Sequence, residues 1–405
     1  MEEGYLSHYF EGVASKKLTT VEVDTTISNQ HEFNGVRDLK LLFGAPVSKI
    51  HIDSRFMYFS SEAEPVIVDG ILTWYDSRAN HPTRTEWRLY YPSNDVTERM
   101  SADDTLFICK LNNDSALVII TMAGSSFEAQ LNWLFGFHYT DSRSFSVKQK
   151  SSLSQSELEY ASRIILNEIG IEAQDYVLEY LEPMIERFNG EFPSTRMFSD
   201  FARGTLRGLN AAIDDPDDVL LTWLEREDKL FRTFEKYIIS ARLEDGFVIN
   251  DNVDVDSFIS FSLSVQNRRK SRAGHSLENH IENLLKAKNI SYTRNPITEN
   301  RSRPDFIFPC IEAYRDENYP ENNLTMLGVK STCKDRWRQV LTEADRIGSK
   351  HLLTLEAAIS ENQTEEMKDR NLQLVIPRKI QSSYTELQKN WLFTVNDFLQ
   401  FVKGK

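Results

Sequence analysis

The sequence predicts a β-rich N-terminal domain followed by an α/β domain in which helices flank a mixed sheet. In the first 140 residues, short β-branched and aromatic runs alternate with clusters of Asn, Asp, Ser, Pro and Gly. From about residue 275, strand-like apolar runs alternate with amphipathic helical segments. A chain of 405 residues with 40% hydrophobic residues has room for two or three domains with buried cores.

Residues 1–140 form the predicted β-rich domain, which we interpret as an effector or DNA-recognition domain. The strand candidates in this segment are residues 49–53, 66–68, 86–91, 106–109 and 116–120. The last two flank a polar Asn-Asn-Asp turn, which is the best hairpin signal of the segment. A short helix is expected over residues 127–133.

Residues 141–156 are rich in Ser and Lys and are predicted to be a linker. The second domain is expected over residues 157–405, and it opens with helical periodicity. The expected helices are 156–169, 219–240, 256–265, 277–287 after Gly274, 336–347 and 395–402. The expected strands are 305–309, 326–332, 352–355 and 372–376.

Composition excludes several classes of protein. No run of 18 apolar residues exists, the N-terminus is acidic, and Cys109, Cys310 and Cys333 are too scattered for a disulfide framework or a zinc site. A GxxxxGK[ST] phosphate loop is missing, so no nucleotide cofactor is expected. We therefore expect a reduced, cytoplasmic protein without membrane contact.

The net charge of −14 argues against DNA binding only when it is averaged over the chain. Residues 264–350 carry 16 Lys and Arg against 11 Asp and Glu, a local balance of +5. A locally basic surface attracts phosphate even on an acidic protein. Chance clustering would give the same pattern.

Four charged residues of the last third form the candidate catalytic set. Asp305 opens the strand Arg-Pro-Asp-Phe-Ile-Phe-Pro, and Lys330 lies near the end of the next strand. This is the layout of a PD-(D/E)xK nuclease, in which carboxylates hold a divalent cation and a lysine stabilises the scissile phosphate. An Asp and a Lys at such a spacing are also compatible with a simple salt bridge.

The usual motif has a carboxylate two residues before the lysine, and here that residue is Gly328. Glu343 is the expected substitute, on the helix beginning near Arg336 and on one face with Arg336 and Gln339. Glu278, on a helix after Gly274, is the fourth candidate, as an additional ligand or supporting residue.

The sequence around these residues closely resembles the catalytic domain of the EcoRII restriction endonuclease family. The resemblance is dense over the motif core, residues 266–377, and includes Val-Lys-Ser-Thr-Cys-Lys-Asp-Arg-Trp-Arg-Gln-Val-Leu at 329–341. It implies a PD-(D/E)xK fold and a type II site-specific endonuclease that depends on Mg²⁺. Asp305, Lys330, Glu343 and Glu278 match the catalytic positions, with Asp305 and Glu343 as metal ligands. Ser331 replaces a threonine that is common in the family.

The same resemblance implies a base-reading element at Lys334, Asp335 and Arg336. Arginine can bind guanine O6 and N7, and aspartate can accept from the amino group of cytosine, so a CC/GG-containing site similar to CCWGG is expected. The alternative is a solvated helix N-terminus capped by Asp335.

Other residues are candidates for DNA contacts. Relatives flip a base out of the duplex, and Trp223, Arg226 and Glu227 are candidates for such a pocket. A core Trp223 with Arg226 and Glu227 as surface charges is the better interpretation. Candidate phosphate contacts are Arg268, Arg269, Lys270, Arg272 and Arg338.

We therefore expect a homodimer that cleaves both strands of double-stranded DNA in restriction of foreign DNA. Two alternatives stay open. One is a nuclease directed to modified DNA by its N-terminal domain, and the other is a DNA-binding module that has lost cleavage.

Overall fold

A computed structural model describes residues 5–24, 31–60, 63–137, 143–153, 158–172, 176–249, 252–333 and 336–405. The chain divides into two compact units. Unit 1 contains Met1–Ala173 with Ala357–Gln363, and unit 2 contains Gln174–Glu356 with Thr364–Lys405. Across the described ranges, we find no helix with the length and apolar character needed to cross a membrane.

Unit 1 is built on an eight-stranded sheet with the order β2-β5-β4-β3-β7-β6-β1-β8. Neighbouring strands are antiparallel except for the parallel pair β3 and β7. The strands are β1 (Phe10–Lys17), β2 (Glu32–Phe33), β3 (Ile50–Phe59), β4 (Val66–Asp76), β5 (Trp87–Tyr90), β6 (Thr105–Leu111), β7 (Ala116–Thr121) and β8 (Ser146–Gln149). The α-helices of unit 1 are α1 (Thr20–Val23), α2 (Lys40–Phe43), α3 (Ser126–Phe135), α4 (Lys150–Leu153) and α5 (Tyr160–Glu168).

The predicted β-rich character of the N-terminal segment is confirmed. The expected hairpin is the antiparallel pair of β6 and β7, whose residues are almost all buried. Strand β1 escaped prediction because its sequence, Phe-Glu-Gly-Val-Ala-Ser-Lys-Lys, mixes small and charged residues. Its Lys16 is nevertheless buried, since the ammonium forms an ion pair with Glu22 at 2.6 Å.

Part of the segment expected to be a linker, residues 141–156, forms a strand and a helix. Ser146–Gln149 pairs with β1 as strand β8, and helix α4 follows directly. Backbone hydrogen bonds to a neighbouring strand do not require apolar side chains, so a Ser- and Lys-rich sequence can still form an edge strand. The two compact units divide near residue 173 instead.

Unit 2 contains a five-stranded mixed sheet in the order β11-β12-β13-β14-β15 and a two-stranded ribbon of β9 and β10. Strands β11, β12 and β13 are antiparallel, whereas β13, β14 and β15 are parallel. The strands are β9 (Val248–Ile249), β10 (Asn252–Val253), β11 (Thr293–Arg294), β12 (Phe306–Phe308), β13 (Thr325–Lys330), β14 (Lys350–Thr354) and β15 (Leu372–Val375). Strands β12 and β14 are fully buried, as expected for a sheet covered by helices.

The helices of unit 2 are α6 (Leu181–Phe188), α7 (Thr195–Gly204), α8 (Pro216–Asp245), α9 (Val255–Ala287), α10 (Ile311–Arg315), α11 (Arg336–Leu341), α12 (Glu361–Asp369), α13 (Glu386–Lys389) and α14 (Val395–Lys403). Phenylalanines and aliphatic residues of α6, α7 and α8 form a separate hydrophobic core. Helix α9 runs through Gly274, so the two separate helices expected over residues 256–265 and 277–287 are one helix of 33 residues.

The parallel strands β13 and β14 are joined by a crossover, residues 331–349, that contains α11. This helix ends at Leu341, six residues earlier than expected, and Ala344 has a positive φ of 51°. Glu343 therefore lies in the turn after the helix, and the expectation that it shares a helical face with Arg336 and Gln339 is wrong.

Candidate active site

Asp305 and Lys330 are held together by two adjacent antiparallel strands. Asp305 immediately precedes β12, Lys330 is the last residue of β13, and Phe306 pairs with Leu327. Asp305 is buried, and its Oδ2 accepts hydrogen bonds from the Val329 backbone N–H at 2.6 Å and from Lys330 Nζ at 2.9 Å. The structure thus brings together the first two predicted site residues and fixes the orientation of the carboxylate.

Glu343 is a buried carboxyl group close to this pair. Only 4% of the residue is exposed, and within the described part of the chain its Oε2 has no hydrogen-bond partner. Burial raises the pKa of Glu343 to about 7; the charges of Lys330 and Lys350 lower it, and Asp305 raises it. A buried carboxyl oxygen without a partner is energetically costly unless a ligand or a proton satisfies it.

Gly328 explains why the carboxylate comes from Glu343. A Cβ on Gly328 would lie 2.9 Å from Val340 Cγ2 on α11, closer than non-bonded carbons approach. A carboxylate side chain two residues before Lys330 is therefore incompatible with α11 in its present place. Glu343, in the turn after α11 within the same crossover, supplies the second carboxyl group.

Lys350 belongs to this site, although sequence reasoning did not select it. It is the first residue of the buried strand β14, and its Nζ donates a 2.8 Å hydrogen bond to the carbonyl of Leu341, the last residue of α11. Burial lowers the pKa of Lys350, while Asp345, Glu343 and Glu299 raise it. A lysine two residues before the predicted strand 352–355 was the signal that could have identified it.

The residues present fit a divalent cation with oxygen ligands. No cluster of three or more His, Cys, Asp or Glu side chains suited to a metal occurs in the described ranges. Mg²⁺, however, keeps several waters and needs only one or two protein carboxylates. The partnerless Oε2 of Glu343, near the charge of Asp305, provides that donor chemistry.

Glu278 lies on α9 and pairs with Arg294 of β11, whose Nη2 is 3.0 Å from Glu278 Oε2. Arg294 also contacts Glu282 at 2.6 Å and Asn279 at 2.9 Å. Since Arg294 pairs with Phe306 in the sheet, this network lies beside the strand that follows Asp305. Glu278 is placed to support that strand through Arg294.

The expected base-reading element is described only in part. Lys334 and Asp335 lie outside the described residues. Arg336 is the first residue of α11 and is exposed. Arg338 is also exposed, and its guanidinium is 3.2 Å from Glu366.

Besides Arg338, two further arginines expected to contact phosphate form ion pairs within unit 2. Arg269 binds buried Glu235 at 2.8 Å, and Arg272 binds Glu227 and Asp228 at 3.1 Å each. Arg268 packs over the Phe192 ring, with its guanidinium carbon 3.9 Å from the centroid. Lys270 is exposed.

Trp223 is buried in unit 2 and packs against His280, with ring centroids 5.5 Å apart. Arg226 donates to Thr205 Oγ1 at 2.8 Å. Glu227, expected at the surface, is fully buried beside His280 and Arg272. Burial alone would raise the pKa of Glu227, but His280 and Arg272 lower it to about 2.

Comparison with known proteins matches part of the second half of the chain to one family. Residues 231–399, which contain all four candidate catalytic residues, match the family described as EcoRII C terminal. This part of the chain is similar to the EcoRII C-terminal family. The resemblance noted from the motifs is confirmed, and so is the mixed sheet flanked by helices.

Known relatives match this domain and cover only part of the chain. The Escherichia coli type II restriction enzyme EcoRII is 41% identical over 191 residues, which are 47% of this chain and 46% of that enzyme. The chain thus aligns with about half the length of this relative. The metal-depleted Ecl18kI complex with uncleaved DNA is 20% identical, covers 56% of this chain and 83% of its own, and has a TM-score of 0.45. The restriction endonuclease PspGI–substrate DNA complex is 16% identical, covers 53% and 95%, and has a TM-score of 0.43.

Proposed function

We propose that the protein is a site-specific restriction endonuclease that hydrolyses phosphodiester bonds of double-stranded DNA with Mg²⁺ as cofactor. The observation that carries the proposal is the Lys330–Asp305 ion pair of 2.9 Å beside the buried, partnerless carboxyl of Glu343, within the residues that match the EcoRII C-terminal family. Two carboxyl groups and one ammonium group lie close together there at the end of β13.

Each residue of the site has its own proposed role. Asp305 and Glu343 would hold the cation, which supplies charge stabilisation for the phosphorane and lowers the pKa of bound water. Lys330 is fixed by Asp305, so its ammonium is preorganised to stabilise negative charge on the scissile phosphate. Glu278 acts through Arg294 on the strand beside Asp305 and is a positioning residue.

Sequence recognition is assigned to the start of α11. Arg336 is exposed and begins this helix shortly after Lys330 ends β13, and together with Lys334 and Asp335 it suits a CC/GG-containing site similar to CCWGG. The remaining candidates for phosphate contacts are Arg268, Lys270 and Arg338. Arg269 and Arg272 are less suited to that role because buried carboxylates neutralise them.

The cleaving species is proposed to be a homodimer, since two active sites cut both strands of a two-fold DNA site. The relative that matches the chain is a restriction enzyme, which supports a role in restriction of foreign DNA. Unit 1 is proposed as a second DNA-reading or effector domain.

Plasmid cleavage tests the proposal. Wild type and Lys330→Ala are incubated with Mg²⁺ and methylated or unmethylated plasmid that carries CC(A/T)GG sites, with and without a site-bearing oligonucleotide. We expect discrete fragments from wild type only, and none with EDTA. Equal cutting by Lys330→Ala would overturn the active site, and cutting of methylated DNA alone would favour the nuclease directed to modified DNA. Binding without cutting in every arm would favour a non-cleaving module.

A further inference from the structure

The segment that leaves β13 after Lys330 is attached to the neighbouring strand β14. The two strands are parallel, and Lys330 pairs with Thr354, so both strands end at the same edge of the sheet. Thr354 is fully buried, and its Oγ1 donates a hydrogen bond to the carbonyl of Ser331 at 3.4 Å. The first residue beyond Lys330 is thus tied to the end of β14.

Glu356, two residues beyond the end of β14, makes a second contact with this segment. Only 8% of Glu356 is exposed, and its Oε2 accepts a hydrogen bond from the backbone N–H of Cys333, whose side chain is fully buried. A buried backbone N–H between a strand and a helix needs an acceptor, because an unpaired buried donor is costly. Glu356 supplies that acceptor from its side chain.

The backbone of Glu356 is itself fixed on both sides. Its N–H donates to Thr354 Oγ1 at 3.3 Å, and its carbonyl accepts a hydrogen bond from the Oη of buried Tyr384 at 2.6 Å. A side chain whose backbone is held in this way can hold another segment in place, since its own position is already determined. Glu356 is therefore a rigid support for Cys333.

The contact lies at the start of the element assigned to base reading. The carbonyl of Cys333 accepts a 2.7 Å hydrogen bond from the backbone N–H of Arg336, the exposed first residue of α11. Cys333 thus links Glu356 to Arg336, through its own N–H on one side and its own carbonyl on the other. A displacement of Cys333 would move the backbone that carries the Arg336 side chain.

We propose that Glu356 is a positioning residue for the recognition of the DNA sequence. A bidentate contact between an arginine and a guanine is productive only in a narrow range of geometries, so the backbone that carries the arginine has to be rigid. Glu356 supplies that rigidity from the protein interior, through Cys333. The inference rests on the proposed function, in which Arg336 reads a base.

The preference for a specific duplex tests this role. Fluorescence anisotropy without Mg²⁺ measures the affinity for a CC(A/T)GG duplex and for a scrambled duplex at one salt concentration. Glu356→Ala should reduce the ratio of the two affinities about 10–100-fold, the discrimination that one bidentate contact provides. Glu356→Gln should keep most of the ratio, because its amide oxygen can still accept from Cys333. A folding defect alone would lower both affinities together and leave the ratio unchanged.

The matched control is Asp217→Ala. Asp217 is a buried carboxyl group of α8 that also accepts backbone hydrogen bonds, from Val395 at 2.9 Å and from Asn396 at 3.0 Å. Asp217→Ala should lower the free energy of unfolding and leave the ratio of the two affinities as in wild type. If Glu356→Ala does not fold, Glu356→Asp provides the same test, because its shorter side chain withdraws the acceptor from Cys333 and should lower the ratio.

Combination with Arg336→Ala tests how Glu356 acts. In the Arg336→Ala background, Glu356→Ala should not lower the ratio further, since both changes remove the same base contact. A full additional loss in the double variant, or an unchanged ratio in Glu356→Ala alone, overturns the positioning role. A wild type that binds both duplexes equally overturns the proposed CC(A/T)GG recognition, whereas a wild-type preference that Glu356→Ala retains overturns only the role of Glu356.

Discussion

Val340 occupies the space that any side chain at Gly328 would need. The methyl groups of Val340 would lie 2.9 and 3.1 Å from a Cβ at position 328. Helix α11 can therefore pack in this place only because residue 328 has no side chain, and so no carboxylate. The second carboxyl group of the site consequently follows α11 instead of standing on β13.

Gly328→Ala should lower the free energy of unfolding by about 1–3 kcal/mol, because a buried methyl group would be forced against Val340. Val340→Ala in the same chain should recover part of that loss, and urea unfolding of the two single variants and the double variant measures the coupling. Gly274→Ala is the matched control. Nothing lies near its Cβ position in the middle of α9, so it should stabilise by about 0.5–1 kcal/mol. Additive effects at positions 328 and 340 would contradict the packing argument.

Glu343→Gln should stabilise the metal-free protein at alkaline pH. Burial raises the pKa of Glu343 from the ordinary 4.5 to about 7, so folding takes up a proton between these values. The contribution of this group to stability is therefore complete below about pH 4.5 and is lost as the pH rises to about 7. At pH 8 in EDTA, the free energy of unfolding of Glu343→Gln should exceed that of wild type by about 2 kcal/mol, and this difference should shrink towards pH 5.

The matched control for that experiment is Glu312→Gln, a change of an exposed glutamate on α10. The difference in the free energy of unfolding between Glu312→Gln and wild type should not vary over the same pH range. A Glu343→Gln difference that is equally independent of pH would show that the Glu343 carboxyl is not buried in the way described.

Lys350→Met should reduce the cleavage rate about 10–100-fold while the protein stays folded, because Lys350 positions the end of α11 and its charge lowers the pKa of Glu343. Removing that charge should shift the pH–rate profile to higher pH, which a purely structural defect would not do. Lys350→Arg should restore the position of the profile in part. An unshifted profile with a uniformly lower rate would assign Lys350 to packing alone.

Arg336→Ala should weaken binding to a specific duplex by about 1–3 kcal/mol and leave binding to a scrambled duplex nearly unchanged. Arg338→Ala is the comparison within the same helix, because Arg338 already pairs with Glu366. Arg338→Ala should change the affinity for the specific duplex and for the scrambled duplex slightly and by equal amounts. Fluorescence anisotropy without Mg²⁺ measures both, and an equal loss on both duplexes for Arg336→Ala would assign this residue to phosphate contact.

Much of the secondary structure of unit 2 could be predicted from local sequence patterns. The strands around Asp305 and Lys330 were predictable because buried apolar runs bounded by turn residues specify strands whatever their neighbours are. The end of α11 was not predictable from such patterns. The helix ends at Leu341, whose carbonyl accepts a hydrogen bond from Lys350, a residue of the next strand. The ion pairs of Arg269 and Arg272 were not predictable either, because their carboxylate partners Glu235 and Glu227 lie on a different helix, α8.

The crossover between β13 and β14 holds α11, Glu343 and the segment assigned to base reading within residues 331–349. A protein engineer who wishes to change the preferred DNA site would therefore have to rebuild the same few turns that place Glu343, a proposed metal ligand. Specificity and turnover are expected to vary together in such libraries. Productive variants should need compensating changes at Val340 or Lys350, and grafting of the whole crossover should succeed more often than substitution of single base-contacting residues.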